Sequence, residues 1–209
     1  WVTVVDCHGE GWLVWAPNRQ WTPRIEERFR RVTGLLDEAH GHHDVPFTVA
    51  LLAGRAQRGD GSVALILSSP GGRPLRDTDL DTNGLLPRSL GVALAALHEL
   101  PSSTYARASG QRASVEVTRQ ALRGLVERHD NAIPSRLRSR WLDAINEDGL
   151  WRFSPVPLHG SLASPYVFVA KGGAVVGLAR FDEAAVGDPA QDLIWLMYHA
   201  SDDFLETFE

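Results

Sequence analysis

At Pro70-Gly71-Gly72 the apolar residues of this chain change their spacing, and that change is what most limits the folds open to it. Before it, strand-like runs dominate. Trp1 to Val5 and Gly11 to Ala16 read as a hairpin about Asp6-Cys7-His8-Gly9, and Val45 to Ala53 and Ser62 to Ser68 as two further strands about the polar turn Arg55 to Gly61. One helix interrupts them: Thr22 is its N-cap, Pro23 its first residue, and Glu26 and Glu27 place negative charge near its positive end. Ile25, Phe29, Val32 and Leu36 share its inner face, and His40-Gly41-His42-His43 closes it.

Beyond the glycines the period becomes helical. Leu90, Leu94 and Leu97 fall on one face, as do Val115, Thr118, Leu122 and Leu125, and then Leu137, Trp141 and Ile145. Tyr166 to Ala170 and Ala174 to Ala179 flank Lys171-Gly172-Gly173 as a hairpin, and Asp188 and Pro189 open a last helix with Leu193, Leu196 and Met197 inward. The expected fold is α+β: a strand-rich lobe over residues 1–70 and a helical lobe over 71–209 with a hairpin inserted near 166–179. A ligand cleft is expected between them.

Composition narrows the partners. The net charge is −5 with basic and acidic residues interspersed, which argues against nucleic acid or an anionic membrane and for a small molecule or a protein. Cys7 is the only cysteine, so no internal disulfide forms. No apolar run approaches the roughly 18 residues of a membrane helix, and the first residues lack a signal-peptide layout, so a cytoplasmic location is expected. Lys171 is the only lysine.

Three segments carry a family likeness: Leu90 to His98, then His159-Gly160-Ser161-Leu162, then Gly187-Asp188-Pro189-Ala190-Gln191-Asp192-Leu193. In order and spacing they resemble the aminoglycoside and macrolide phosphotransferases, most of all the macrolide type. The resemblance implies the two-lobed protein-kinase-like fold. It also implies a first strand and glycine-rich loop ahead of Trp1 and closing helices beyond Glu209, so that this chain would be shortened at both ends.

The same resemblance makes the departures informative. The family's catalytic aspartate after His-Gly is Ser161 here, a hydroxyl that is almost never ionised at neutral pH, and its metal-binding asparagine is Tyr166. The aspartate that bridges magnesium to the phosphates is Arg180, within Ala179-Arg180-Phe181. The strand that should carry a phosphate-pairing lysine or arginine has Trp15 there; Lys171 is far away and Arg19 lies beyond Pro17. Val32 stands where a glutamate should hold that cation, with Glu26 and Glu27 more than a turn early. Phosphoryl transfer rests on positioning and on metal and cationic stabilisation, so these replacements remove its means.

The remaining residues read as follows. Ser68, Ser69 and Gly71, with Trp15, are candidates for contact with a cofactor at the hinge and cleft. Asp188 reads as an N-cap that ties neighbouring loops, Asp192 as structural, and His159 as a core histidine bonded to a backbone carbonyl. His40, His42 and His43 read as a polar loop rather than a metal site, and no nucleophile elbow surrounds Ser161. The seven tryptophans read as core and lobe packing. The leading expectation is a catalytically degenerate, pseudokinase-type member of the family that binds a small molecule or a protein and needs no cofactor. Arg180 would hold an anion, and Trp15 would fill nucleotide space. An active ATP- or GTP-dependent enzyme would instead recruit Asp182 or Glu183 for magnesium and His159 as base. A pure interaction domain would fill the cleft with its own side chains.

Overall fold

The computed structural model describes residues 2–208 apart from 6, 7, 9, 10, 18–20, 82, 83, 112 and 113. Trp1, Asp6, Cys7, Gly9, Arg19 and Glu209, which entered the expectations above, lie outside the described residues. The chain runs β1 (Val2–Val5), β2 (Gly11–Trp15), α1 (Pro23–Gly41), β3 (Thr48–Val49), β4 (Leu52–Gln57), β5 (Val63–Ser68) and β6 (Arg73–Pro74). It continues with α2 (Leu85–Glu99), α3 (Ser102–Ser109), α4 (Val115–Arg128), α5 (Ser135–Asn146), β7 (Val156–Leu158), β8 (Val167–Val169), β9 (Val175–Leu178), β10 (Ala185–Gly187), α6 (Ile194–His199) and α7 (Asp202–Phe208). This is an α+β, kinase-like arrangement, strand-rich first and helical after.

The first sheet is antiparallel in the order β1-β2-β5-β4. Against it lies α1, started by the Thr22 hydroxyl accepting the Ile25 N–H at 3.3 Å. Its inner face, Phe29, Val32 and Leu36, is fully buried, each side chain contributing roughly 1.5–3 kcal/mol of apolar burial. The run Val45 to Ala53 is two strands, not one. Thr48–Val49 leaves the first sheet to pair in parallel with β9, in a second sheet of order β3-β9-β8-β6, and the chain crosses back at Ala50-Leu51 into β4. Arg55 to Gln57 lie on β4 rather than in a turn, because an edge strand with a solvent face tolerates polar residues; the turn proper follows, with Arg58 N–H bonded to the Ser62 carbonyl.

The β8–β9 hairpin joins the two halves. Phe168 and Ala179 pack with Leu13, Trp15, Phe29, Leu65 and Leu67 in one core, while Val167, Val169 and Leu178 belong to the larger core with Leu36, Leu90, Leu94, Leu97 and Phe181.

Two expectations about buried residues are corrected: Trp141, expected to pack in the core like the other tryptophans, and Met197, expected inward on the last helix, are both exposed. On α4 and α5 only Val126 and Ile145 are buried; Leu122, Leu125, Leu137 and Trp141 are exposed, because these helices pack on each other and leave their shared apolar side open. Together with Leu150 and Trp151 it borders a groove of about 670 Å³. Met197 is 69% exposed: a 3₁₀ turn, Pro189–Asp192, precedes α6, so the helix starts later and in a different register than expected. No described helix is long and apolar enough to cross a membrane.

Candidate functional site

The segments with the family likeness converge where the first sheet meets β8 and β9. His159 follows β7 and is completely buried. Its Nε2 lies 2.7 Å from the Ala179 carbonyl and its Nδ1 3.4 Å from the Ser161 N–H, which fits a neutral ring donating through Nε2 and accepting at Nδ1. Burial holds its pKa below the ordinary value, against the pull of the Asp192 carboxylate. Asp192, also fully buried, accepts the backbone N–H groups of His159 and Gly160, both at 2.9 Å, and pairs with His98 at 3.2 Å. Burial pushes its carboxyl up, but these donors outweigh burial and hold it below the ordinary value. The loops are tied by Asp192, whereas Asp188 caps the following turn by accepting the Ala190 N–H.

Both shifts act in one direction on acidification. The unfolded chain takes up a proton below about pH 6.5 that buried His159 does not, and another below about 3.8 that Asp192 resists. Stability is therefore full above 6.5 and is lost in two steps as pH falls. Urea midpoints measured from neutral pH downward should decline first below 6.5, and His159→Gln should remove that first decline.

Gly160 is required here. Its φ is +86°, and a Cβ would lie 2.1 Å from the Glu183 carbonyl oxygen. The His159 loop is thereby pressed against the Asp182-Glu183 backbone. Ser161 follows, its Oγ buried without a hydrogen-bond partner.

Arg180 occupies the centre. Its backbone is left-handed, φ +74° and ψ +51°, an uncommon state for a residue with a Cβ. That turn carries the guanidinium back onto Asp182, with Nε 2.9 Å from one carboxylate oxygen and a terminal nitrogen 3.2 Å from the other. The remaining terminal nitrogen donates to the Tyr166 hydroxyl at 2.8 Å. The cation lies over two rings, its central carbon 4.3 Å from the Trp15 centroid and 4.7 Å from that of Tyr166. Trp15 meets Trp21 edge-on at 5.3 Å, and Trp21 in turn meets Phe29. Thus Ser161, Tyr166, Arg180, Trp15 and Asp182 come together, with one arginine bonded to Asp182 and Tyr166 and lying over the rings of Trp15 and Tyr166.

The hinge candidates lie along one edge. Ser68 Oγ accepts the Leu51 N–H, the Ser69 N–H bonds the Gly11 carbonyl, and the Gly71 N–H bonds Ser69 Oγ. Glu26 is partly buried, bonded by the Trp21 ring N–H and paired with Arg30 and Arg55, and Val32 is in the core. His40, with its Nδ1 3.1 Å from the Val45 carbonyl, ends α1 away from the cleft. No group of three or more metal-ligating side chains occurs among the described residues.

Two residues were missed from sequence. Arg28 stands one turn before Val32 on α1 and donates to the Asp182 carbonyl; a search of that face for a carboxylate passed over it. His98 was read only as part of its helix, although its place at the end of α2 brings it to Asp192.

Comparison with known proteins agrees with this fold. The family model described as the phosphotransferase enzyme family matches residues 2–209. The structure resembles that of macrolide 2′-phosphotransferase MphH from Brachybacterium faecium, with TM-score 0.76 and 21% identity over 99% of this chain and 71% of that one. A type I macrolide 2′-phosphotransferase gives 0.74 and 21% over 99% and 70%. An aminoglycoside phosphotransferase, APH(2″)-IIIa, solved with GDP and kanamycin, gives 0.72 and 17% over 94% and 69%. The protein YcbJ of Bacillus subtilis is 32% identical over 62 residues, 30% of this chain; the match spans a fifth (20%) of that relative.

Proposed function

Because the chain belongs to the phosphotransferase enzyme family, we propose that it is a member that has given up phosphoryl transfer and works by binding a small molecule or a protein. The observation that carries this reading is Arg180. Where the family resemblance calls for a metal-bridging aspartate, a guanidinium takes both oxygens of Asp182 and is enclosed by Trp15 and Tyr166. A divalent cation does not fit these residues: it would have to displace a charge-assisted bidentate pair and then bind beside the displaced cation. His159 is a poor base, since both ring nitrogens are engaged by backbone groups and burial opposes its protonated form. Ser161 brings a neutral hydroxyl to the position of the base.

The solved relatives are named for macrolides and aminoglycosides. For this chain an apolar small molecule suits the surface best, seated in the groove of Leu122, Leu125, Trp141 and Leu150.

Calorimetric titration of ATP and GTP into the purified chain, with and without Mg²⁺, tests the reading. No heat of binding and no shift in thermal unfolding are expected. Magnesium-dependent nucleotide binding that is lost in Asp182→Ala, together with phosphate transfer to a macrolide or to kanamycin, would overturn it in favour of an active enzyme with relocated ligands.

A further inference from the structure

A second polar cavity, of about 180 Å³, lies between α1 and the end of α3, on the far side of Asp182 from Arg180 in the hydrogen-bond chain. Its lining is Arg24, Arg28 and Arg31 from α1, Ile25, and the Ser109-Gly110-Gln111 turn. Three cations thus line one small concavity in a chain whose net charge is −5, and among the described residues no carboxylate lines it.

The arrangement opposes the helix's own electrostatics. Arg24 and Arg28 fall in the first turns of α1, where the unpaired backbone N–H groups already leave positive charge, and they are spaced so that like charges adjoin. Arg31 is partly neutralised by Glu27, at 2.9 Å, and its Nε donates to the Ala108 carbonyl. Arg28 spends one terminal nitrogen on the Asp182 carbonyl, yet its Nε–H is buried with no partner. A buried donor left unpaired is unfavourable, and a further cation at the positive end of a helix adds to the cost. Both costs vanish if an anion with several acceptor oxygens sits in the cavity. Ser109 Oγ is already used by the Gln111 N–H and the turn's carbonyls, so the arginines are the recognising groups.

We propose that this cavity is a binding site for the phosphate group of a small phosphate monoester. Guanidinium groups match phosphate in fork geometry, and the volume admits a phosphate with a short substituent but no nucleotide. The site is separate from the Arg180 cleft and stands whether or not the cleft transfers phosphate. It touches the cleft at one point, the Arg28 bond to the Asp182 carbonyl, so an occupant would stiffen the turn on which Arg180 rests.

The test uses the intact purified chain at constant ionic strength, titrated with inorganic phosphate and with glycerol phosphate against chloride, and followed by thermal unfolding and calorimetry. A saturable rise in unfolding temperature is expected with both phosphates. Arg24 is exposed and, among the described residues, makes no ion pair or side-chain hydrogen bond, so Arg24→Gln should leave the urea midpoint without phosphate no lower than that of the unaltered chain and should weaken phosphate binding about tenfold, as loss of one charge-assisted contact implies. Arg31→Gln should weaken it independently. A response to inorganic phosphate alone would restrict the site to the free ion and overturn the monoester assignment. A response equal to that of chloride, or one unchanged in both variants, would overturn the site altogether.

Discussion

Arg180→Met is expected to lower the free energy of unfolding by about 3–5 kcal/mol, read from urea or guanidinium melts. The side chain is 17% exposed and its partner Asp182 not at all, so removing the cation leaves a carboxylate facing Trp15 and Tyr166 with its bidentate partner gone. Relief of the left-handed backbone does not offset this, because methionine has a Cβ and suffers the same strain. Asp182→Asn alone should also destabilise. The double variant should lose less than the sum, with a coupling of roughly 0.5–3 kcal/mol, because it removes the charge and its counter-charge together. Additive losses would mean that the two side chains act separately and that the pair does not hold the cleft.

Gly160→Ala is expected to have a still larger effect, abolishing cooperative unfolding or the soluble folded protein. A positive φ alone costs an alanine on the order of 1 kcal/mol. Here the added methyl would also stand 2.1 Å from a backbone oxygen, and backbone cannot rotate out of the way as a side chain can. Moving the Glu183 carbonyl would shift Asp182 and with it the ion pair. Gly61→Ala is the control: its φ is +81° but nothing lies within 4 Å, so only the conformational cost should be measured. Near-infrared or fluorescence methods are not needed for this comparison; far-ultraviolet circular dichroism on both variants separates the outcomes.

These expectations show what could be read from sequence and what could not. The leucines of α2 were legible because a helix buried on one face repeats its apolar residues at the helical period and nothing competes. On α4 and α5 the same signal says less. Periodicity reports that a helix has an apolar face; it does not report whether another element covers it, and Leu122, Leu125 and Trp141 are uncovered. In the site, the family resemblance brought Ser161, Tyr166 and Arg180 into one place. What escaped was direction. Arg180 pairs with a residue two positions on only because its backbone turns left-handed, and no composition or period signals that in a residue other than glycine or asparagine. Arg28 escaped for a related reason: it acts on a carbonyl, and backbone acceptors are invisible to a search by residue type.

The brief parallel pairing of Thr48–Val49 with Gly177-Leu178 sets an order of events as the chain is made. The Thr48 hydroxyl lies between the carbonyls of Pro70 and Val176, at 2.7 and 3.0 Å, so its partners are separated by most of the polypeptide. A ribosome releases these segments some ten seconds or so apart at about 5–20 residues per second. Through that interval the first sheet and α1 have one face of Phe29 and Leu67 without Phe168 and Ala179 to cover it. The early half therefore waits, partly apolar and open, and becomes a finished lobe only when the hairpin that belongs to the other half arrives.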